Sequence, residues 1–223
     1  MTPRYALVVF DWDGTLLDSA GRIVATVREA IAASGLPPRS PEQIRATIGL
    51  GLHEAAQALY PELSAAERQR LTGGYREAFV RTAGHAPAEP FAGAAEALAR
   101  LERAGCLLAI ATGKSRSGLR RDLEQAGLDR CFVGTRTVDD CPSKPHPAMV
   151  EELVSDCGVT AADTLVVGDT LFDLEMAANA GVDALGVSWG AHPPERLAQA
   201  RPRGILQRFE DLDRWVLPAG ARH

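Results

Sequence analysis

Residues 7–19 read LVVFDWDGTLLDS and carry the strongest structural signal in the chain. An apolar run of the length of a buried strand stops at two carboxylates, a glycine and a hydroxyl. Alternate side chains of an extended segment share one face, so Asp11 and Asp13 are expected to point together and Trp12 away from them. Ligands of an open parallel sheet bind at the carboxyl ends of its strands. We therefore expect a functional site directly after this first strand.

Two neighbouring carboxylates repel each other, and the common relief in proteins is a hard divalent cation such as Mg2+. One carboxylate can then attack an electrophile while the other moves a proton. A strand that simply ends in a polar turn would also use Asp and Gly, because both residue types favour turns. The other motifs of the chain distinguish these two interpretations.

The composition indicates a globular protein with one large or two small domains. The chain has 223 residues, of which 46% are hydrophobic and 24% charged, and this suffices for a sizeable core. A net charge of −5 argues against nucleic acid as a partner. No apolar run approaches the ~20 residues of a membrane span, and the first run is too short for a signal peptide. We expect neither a nucleic-acid nor a membrane partner.

The four cysteines show no C-x-x-C spacing, which argues against structural zinc and suits reduced thiols. A cytoplasmic location is therefore predicted. The cysteines are Cys106, Cys131, Cys141 and Cys157.

The positive charges are divided unevenly between residue types. Of the 24 Lys and Arg residues, only Lys114 and Lys144 are lysines. A general drift towards arginine explains the arginines, but not why two positions keep lysine. A compact ammonium differs physically from a planar guanidinium, so we expect a point-charge role at both positions.

The segment 19–85 is predicted to be an all-helical insertion. Ser19 is placed to cap its first helix, and no strand pattern follows until about Cys106, which is not how a βαβ unit continues. We predict a helical cap domain at 19–85, ending at the Gly84–Pro87 stretch, and an α/β core made of 1–18 and 86–223. The helices of the cap are expected at 19–34, 41–48, 53–60 and 64–83.

From Phe91 onward, helices and strands alternate regularly. This alternation predicts an α/β fold, with a Rossmann-like parallel sheet covered by helices on both faces. The strands are expected at 107–111, 131–133, 164–167, 183–187 and 205–206, and the helices at 92–104, 116–126, 146–156, 172–180, 194–200 and 210–216.

Four segments of the predicted core carry the groups that phosphoryl chemistry requires: a nucleophile, a metal site, hydroxyl or backbone donors, and a cation. Both lysines of the chain belong to these segments. A P-loop is excluded because Leu108 stands where its first glycine is needed. The segments are Asp11 to Asp13, Thr112 to Ser115, Ser143 to Pro147 and Gly168 to Asp173.

Four motifs stand in a fixed order: D-x-D-G-T-L-x-D-S at 11–19, Thr112, K-P-x-P at 144–147 and G-D-x-x-x-D at 168–173. With these motifs the chain resembles the haloacid-dehalogenase-like (HAD) hydrolase superfamily. The nearest likeness is to the phosphoglycolate-phosphatase-like branch, which carries a helical cap after the first strand. The likeness extends over essentially the whole chain.

The resemblance implies a role for each motif residue. Asp11 would be the nucleophile that forms an aspartyl-phosphate. Asp13 would serve as general acid and then as base, and its backbone carbonyl would bind Mg2+. Thr112 and the Gly113 amide would hold the transferring phosphoryl group, and Lys144 would neutralise its charge.

The resemblance also implies that Asp169 is a direct metal ligand and that Asp173 supports the metal or Lys144. Gly113 departs from the family, which often has Asn there, and this change would cost one hydrogen-bond donor. A dehalogenase usually has Tyr in place of Asp13, and a phosphonate hydrolase needs a lysine in the cap, where this chain has none. Both alternatives are therefore disfavoured.

The cap is expected to select the substrate, because the core handles only the phosphoryl group. The Gly-hinged segment 47–53 lies where the family has its specificity loop. The competing interpretation is that Arg45 is an ordinary surface charge and His53 a helix-start residue. The candidate specificity residues are Arg45, Gly49, Gly51 and His53.

The predicted function is Mg2+-dependent hydrolysis of a small phosphate monoester, phosphoglycolate-like or a sugar phosphate, through an aspartyl-phosphate. The expected partner is thus a small phosphorylated metabolite. The alternatives are a phosphosugar mutase or a pyrophosphatase of the same fold, and, from a different class, a non-catalytic regulatory relative.

Overall fold

The computed structural model describes residues 3–83 and 88–217. Within these residues, six strands form one parallel sheet in the order β3-β2-β1-β4-β5-β6, which confirms the predicted α/β fold. The strands are β1 (Leu7–Phe10), β2 (Leu107–Ala111), β3 (Gly134–Arg136), β4 (Thr164–Gly168), β5 (Asp183–Val187) and β6 (Gly204–Leu206).

Both faces of the sheet are covered, because successive side chains of each buried strand enter different apolar layers. Val8 and Phe10 lie in one cluster, and Leu7 and Val9 in the other. The helices that provide this cover are α5 (Ala94–Arg103), α6 (Arg116–Ala126), α7 (Ala148–Asp156), α8 (Leu171–Asn179), α9 (Pro194–Leu197) and α10 (Asp213–Val216).

Strand β1 is central and positions the site. Phe10 is paired with Ile110 of β2 on one side and with Val167 of β4 on the other. The residues that follow these three strands therefore meet at one edge of the sheet. Asp11, Thr112 and Asp169 all stand at this edge.

Within the described residues, five helices lie between β1 and β2, and the first four of them enclose an apolar cluster of their own that includes Ile44 and Tyr60. The chain leaves the sheet and returns to it side by side: the Asp18 amide donates to the Glu89 carbonyl and the Phe91 amide to the Leu16 carbonyl. These four helices are α1 (Ala20–Ala33), α2 (Pro41–Arg45), α3 (Leu52–Leu59) and α4 (Ala65–Ala83).

This arrangement supports the predicted cap, although the division into 1–18, 19–85 and 86–223 stays a prediction. Its second boundary, in the Gly84–Pro87 stretch, lies outside the described residues. No helix in the described ranges is long and apolar enough to cross a membrane.

The predicted strand at 131–133 is wrong, because the strand begins at Gly134 instead. Val133 is 60% exposed, while Phe132 packs edge-on against Trp12 with ring centroids 6.5 Å apart. A short apolar run does not distinguish a strand from a loop that packs one side chain on the core. The expected helix at 41–48 likewise ends early, at Arg45, and 194–200 divides into α9 and a 3-10 turn.

Candidate active site

The end of β1 presents two carboxylates to one cavity. Asp11 and Asp13 both line this cavity, whereas Trp12 points into the core beneath β1, as the extended pattern predicted. Gly14 follows with φ +90°, and a Cβ atom there would overlap the Asp169 carboxylate. Glycine at this position therefore lets the β1 loop approach Asp169 closely.

Lys144 lies beside the Asp11 carboxylate in the interior of the core. Its Nζ donates to Asp11 Oδ1 at 2.6 Å and also to Asp173 Oδ1, and its side chain is fully buried. Burial acts to lower the pKa of Lys144, but the charges of Asp11 and Asp173 raise it above its usual value. Lys144 is thus a fixed positive charge at the position where the sequence predicts one.

Three carboxylates at this edge are arranged as ligands of a cation. Asp11, Asp169 and Asp173 each offer an oxygen, and these oxygens lie within 4.8 Å of one another. Asp169 is oriented by the Thr15 hydroxyl, which donates to its Oδ1 at 2.8 Å, and by the Ala191 amide, which donates to its Oδ2 at 2.7 Å.

The charges of this cluster are not balanced by protein groups alone. None of the described residues donates a hydrogen bond to Asp11 Oδ2, although this atom is buried. Burial raises the pKa of Asp11 well above its usual value, and Asp173 and Asp169 add to the rise despite Lys144. Burial, followed by the Asp173 charge, raises the pKa of Asp169 to about 7. An all-oxygen donor set with excess negative charge fits a hard divalent cation.

Asp13 belongs to a second cluster, with partners other than those of Asp11. Lys114 Nζ donates to both Asp13 oxygens, at 2.8 and 3.0 Å, and the Ser19 hydroxyl donates to Oδ1 at 2.7 Å. Burial alone would raise the pKa of Asp13, but Lys114 and Ser19 bring it below its usual value. Ser19 stands at the N-cap of α1 but makes no side-chain cap bond, so the predicted capping role is wrong.

The loop after β2 contacts the cap segment directly. Thr112 is buried, and its Oγ1 accepts from the Lys114 amide at 3.2 Å. A Cβ atom on Gly113 would lie 2.5 Å from the Gly49 carbonyl oxygen and 2.6 Å from that of Leu50. A larger residue at this position, such as the Asn that the resemblance leads us to expect, would therefore overlap the backbone of the cap segment.

The cavity has a volume of about 720 Å³ and lies between the cap and the edge of the sheet. Gly49, Gly51 and His53 line it, and the Gly51 amide donates to Ser143 Oγ at 2.8 Å. Arg45 is not among the cavity-lining residues: it ends α2, one position past Ile44, which is buried in the cap. Apolar side chains form much of the cap wall, and they are Ile23, Val27, Tyr75, Phe79 and Val80.

For Lys114 the sequence predicted a point charge but not its partner Asp13. The rarity of lysine marked both Lys114 and Lys144, but only Lys144 stands in a family motif. No sequence pattern marked Tyr75 and Phe79 of α4 as cavity-lining residues, because their spacing is that of any helix with one apolar face.

Comparison with known proteins identifies the family of the chain. The family model described as haloacid dehalogenase-like hydrolase matches residues 8–187, and the chain belongs to this family. A Dickeya dadantii (strain 3937) protein named probable phosphatase IndB is 38% identical over 92% of this chain and 91% of its own length. A Vibrio parahaemolyticus phosphoglycolate phosphatase is 30% identical over 92% and 93%.

Solved structures give the same result for the fold. The crystal structure of a predicted phosphoglycolate phosphatase from Haemophilus somnus 129PT superposes with a TM-score of 0.85 at 25% identity. The match covers 95% of this chain and 97% of that one. The predicted resemblance, including the branch with phosphoglycolate-phosphatase-like relatives, is confirmed.

Proposed function

We propose that the protein is a Mg2+-dependent phosphatase that hydrolyses a small phosphate monoester through an aspartyl-phosphate on Asp11. The observation that carries the proposal is the state of the Asp11 carboxylate. Lys144 holds one of its oxygens, while the other is buried in the carboxylate cluster without a hydrogen bond from a described residue. Such a carboxylate is fixed in place and keeps a lone pair for attack.

Asp11, Asp169 and the backbone carbonyl of Asp13 would hold Mg2+, with Asp173 in support. When bound, the cation would screen the negative charges of the carboxylates and the phosphate from one another. The protein itself supplies a second positive charge, because Lys144 neutralises negative charge beside Asp11. Thr112 and the Gly113 amide would hold the phosphoryl oxygens.

In the first half-reaction, an Asp11 oxygen attacks phosphorus and the bond from phosphorus to the leaving oxygen breaks. Asp13 must take up a proton before this step, because its lowered pKa favours the carboxylate; it then gives that proton to the leaving oxygen, which departs as an alcohol. In the second half-reaction, Asp13 takes a proton from water as the water attacks the aspartyl-phosphate. Inorganic phosphate departs and Asp11 is restored as a carboxylate.

The substrate is proposed to be a small phosphorylated metabolite from the cytoplasm, with neither nucleic acid nor a membrane as partner. The names of the relatives support a phosphoglycolate-like compound. A cavity of about 720 Å³ also accommodates a sugar phosphate, since pockets of about 300–1,000 Å³ enclose drug-sized ligands.

A phosphosugar mutase is the second candidate, and one observation favours it. Arg76 of the cap lines the cavity and offers a guanidinium that could hold a second phosphate. A mutase would convert a sugar monophosphate into its isomer when primed with the bisphosphate, whereas a phosphatase would release inorganic phosphate from both.

The deciding experiment is a screen of the purified protein against phosphorylated metabolites, with and without Mg2+. The matched control is Asp11→Asn, which keeps the shape of the side chain but cannot form an acyl phosphate. We expect Mg2+-dependent release of phosphate that Asp11→Asn lacks. Release that persists in Asp11→Asn would overturn the proposal, as would a folded wild type that is inactive on every monoester.

A further inference from the structure

Helix α6 places a carboxylate behind the Asp13 cluster, away from the cavity. The Asp122 side chain is 2% exposed and does not line the cavity. Its oxygens accept no hydrogen bond from the described residues, and its partners are cations. Lys114 Nζ lies 3.1 Å from Oδ2, and Arg22 of the cap lies 3.8 Å from the same atom.

A buried carboxylate of this kind is costly to keep, because ion pairing in a protein interior seldom repays the loss of hydration. The fold does not need it locally, since Ser115 caps α6 by accepting from the Gly118 amide. The position is therefore better explained by what Asp122 does to its neighbour Lys114.

Lys114 Nζ lies between two carboxylates: it contacts Asp13 at 2.8 Å and Asp122 at 3.1 Å. From the cap side, the Phe79 ring stands over the ammonium at 5.1 Å. The flexible lysine stem has several rotatable bonds, and a carboxylate on either side leaves the ammonium one favourable position. Asp13 in turn is held by that ammonium.

We propose that Asp122 is a positioning residue, which fixes Lys114 and through it orients the Asp13 carboxyl towards the leaving oxygen of the substrate. The inference rests on the proposed function, because Asp13 needs this orientation only if it protonates a leaving group. Without the Asp122 charge, Lys114 is drawn onto Asp13 or swings towards the substrate phosphate. In either case the Asp13 carboxyl is no longer oriented towards the leaving oxygen.

The test compares two substrates in the Asp122→Asn variant. An alkyl phosphate such as 2-phosphoglycolate, or the best alkyl substrate of the wild type, leaves as an alkoxide that needs a proton. p-Nitrophenyl phosphate leaves as a stable anion that does not. The measured quantity is kcat/KM, which covers the steps up to phosphoryl transfer to Asp11 and excludes the later attack by water.

We expect kcat/KM for the alkyl phosphate to fall about 10- to 100-fold, which is at or below the lower limit of a full general-acid contribution of about 10²- to 10⁴-fold, while that for p-nitrophenyl phosphate changes less than about threefold. Asp122→Glu, which keeps the charge, should recover part of the alkyl activity. A merely structural role would lower kcat/KM for both substrates alike. That outcome, or an unchanged kcat/KM for both, overturns the inference. A folded wild type inactive on both would overturn the proposed function and this inference together.

The matched control is Glu124→Gln on the same helix, because the Glu124 side chain is 65% exposed. This variant should leave kcat/KM unchanged for both substrates. If Asp122→Asn does not fold, Lys114→Gln/Asp122→Asn removes both charges of the Lys114–Asp122 pair together. If Asp122 acts through Lys114, this double variant should match Lys114→Gln alone. A further, equal loss on both substrates would overturn the inference.

Discussion

Two lysine clusters flank the cavity, and they differ in which parts of the chain build them. In the first, Lys144 lies between Asp11 and Asp173, and all three side chains are at most 2% exposed and come from the core. In the second, Lys114 lies between Asp13 and Asp122. Residues of the helical segment close this second cluster, with Arg22 beside Asp122.

The difference indicates a division of labour. The Lys144 cluster surrounds the proposed nucleophile, so under the proposed function it would act on the phosphoryl group that every substrate shares. The Lys114 cluster holds the proposed acid and contacts the cap, so it would act on the leaving group, which differs between substrates. Changes in the first cluster should affect all substrates alike, and changes in the second should depend on the substrate.

Removal of divalent cations should have the largest effect, because the carboxylates beside Lys144 are the proposed cation ligands. We expect exhaustive chelation to abolish turnover of alkyl and aryl phosphates alike, and Mg2+ to restore both. Calcium should restore little, since it is larger and takes more ligands, which misplaces the nucleophile. Phosphate release before and after dialysis measures this, and full activity after chelation would remove the metal from the mechanism.

Lys144→Ala should have the second-largest effect on turnover. Charge stabilisation in a water-poor site is commonly worth about 3–4 kcal/mol, or about a hundred- to a thousandfold in rate. We expect a loss of that size in kcat for both substrate types. Lys144→Arg should recover little, because a planar guanidinium cannot place its charge at the same point.

The control for this series is Arg120→Lys on α6, whose side chain is 78% exposed; kcat should stay within the error of the assay. If Lys144→Arg were as active as the wild type, a point charge would not be required at this position. A substrate-dependent loss in Lys144→Ala would contradict the division between the two clusters.

Gly113→Ala should have a smaller, substrate-dependent effect. The added Cβ meets the carbonyl oxygens of Gly49 and Leu50, so the cap segment must move away. Since misplacements of about 1 Å can cost about a hundredfold, we expect a loss of about tenfold in kcat/KM, mainly through KM. Gly73→Ala is the control, because nothing lies within 4 Å of a Cβ there. Equal activity of both variants would show that this contact does not shape the cavity.

His192 should have the smallest effect on turnover, because its expected effect is on stability. Its Nδ1 accepts from the Leu171 amide at 3.0 Å, and protonation would break that bond. Burial lowers the pKa of His192 to about 4, whereas the unfolded chain takes up the proton near pH 6.5. The free energy of unfolding should therefore fall as the pH drops from about 6.5 to about 4, by up to about 1.4 kcal/mol per pH unit.

His192→Gln should reduce this slope relative to the wild type, as measured by urea titrations at several pH values. Its slope above pH 7 should equal that of the wild type, because His192 is neutral there in both states. An unchanged slope below pH 6.5 would mean that the ring is not held neutral in the fold.

The sequence predicted the sheet and the Lys144 cluster well, because both depend on local signals. Apolar runs that end in Asp, Thr or Gly-Asp place side chains at a common edge whenever the strands are parallel and adjacent. The strand at 134–136 was missed because GTR carries no apolar pattern, whereas the preceding CFV does. Its position depends on pairing with Ala109 and its neighbours in β2, which is a non-local contact.

The Lys114 cluster could be predicted only in part, for a similar reason. Lys114 was marked by its rarity, but its partners lie 101 and 8 positions away in the chain, at Asp13 and Asp122. A buried Asp on an amphipathic helix looks like any other polar helix position until the tertiary fold is known. The close approach at Gly113 was equally hidden, since the cap backbone that requires it belongs to another element.

The use of lysine at only two positions has a consequence for the chemical reactivity of the protein. Lys114 is 9% exposed and Lys144 fully buried, and arginine supplies the remaining basic side chains. Acetylation, carbamylation or an amine-directed cross-linker can therefore reach a side-chain amine only at Lys114, which lines the cavity. For this molecule, covalent labelling of lysine is a form of active-site titration, and occupancy of the cavity should protect against it.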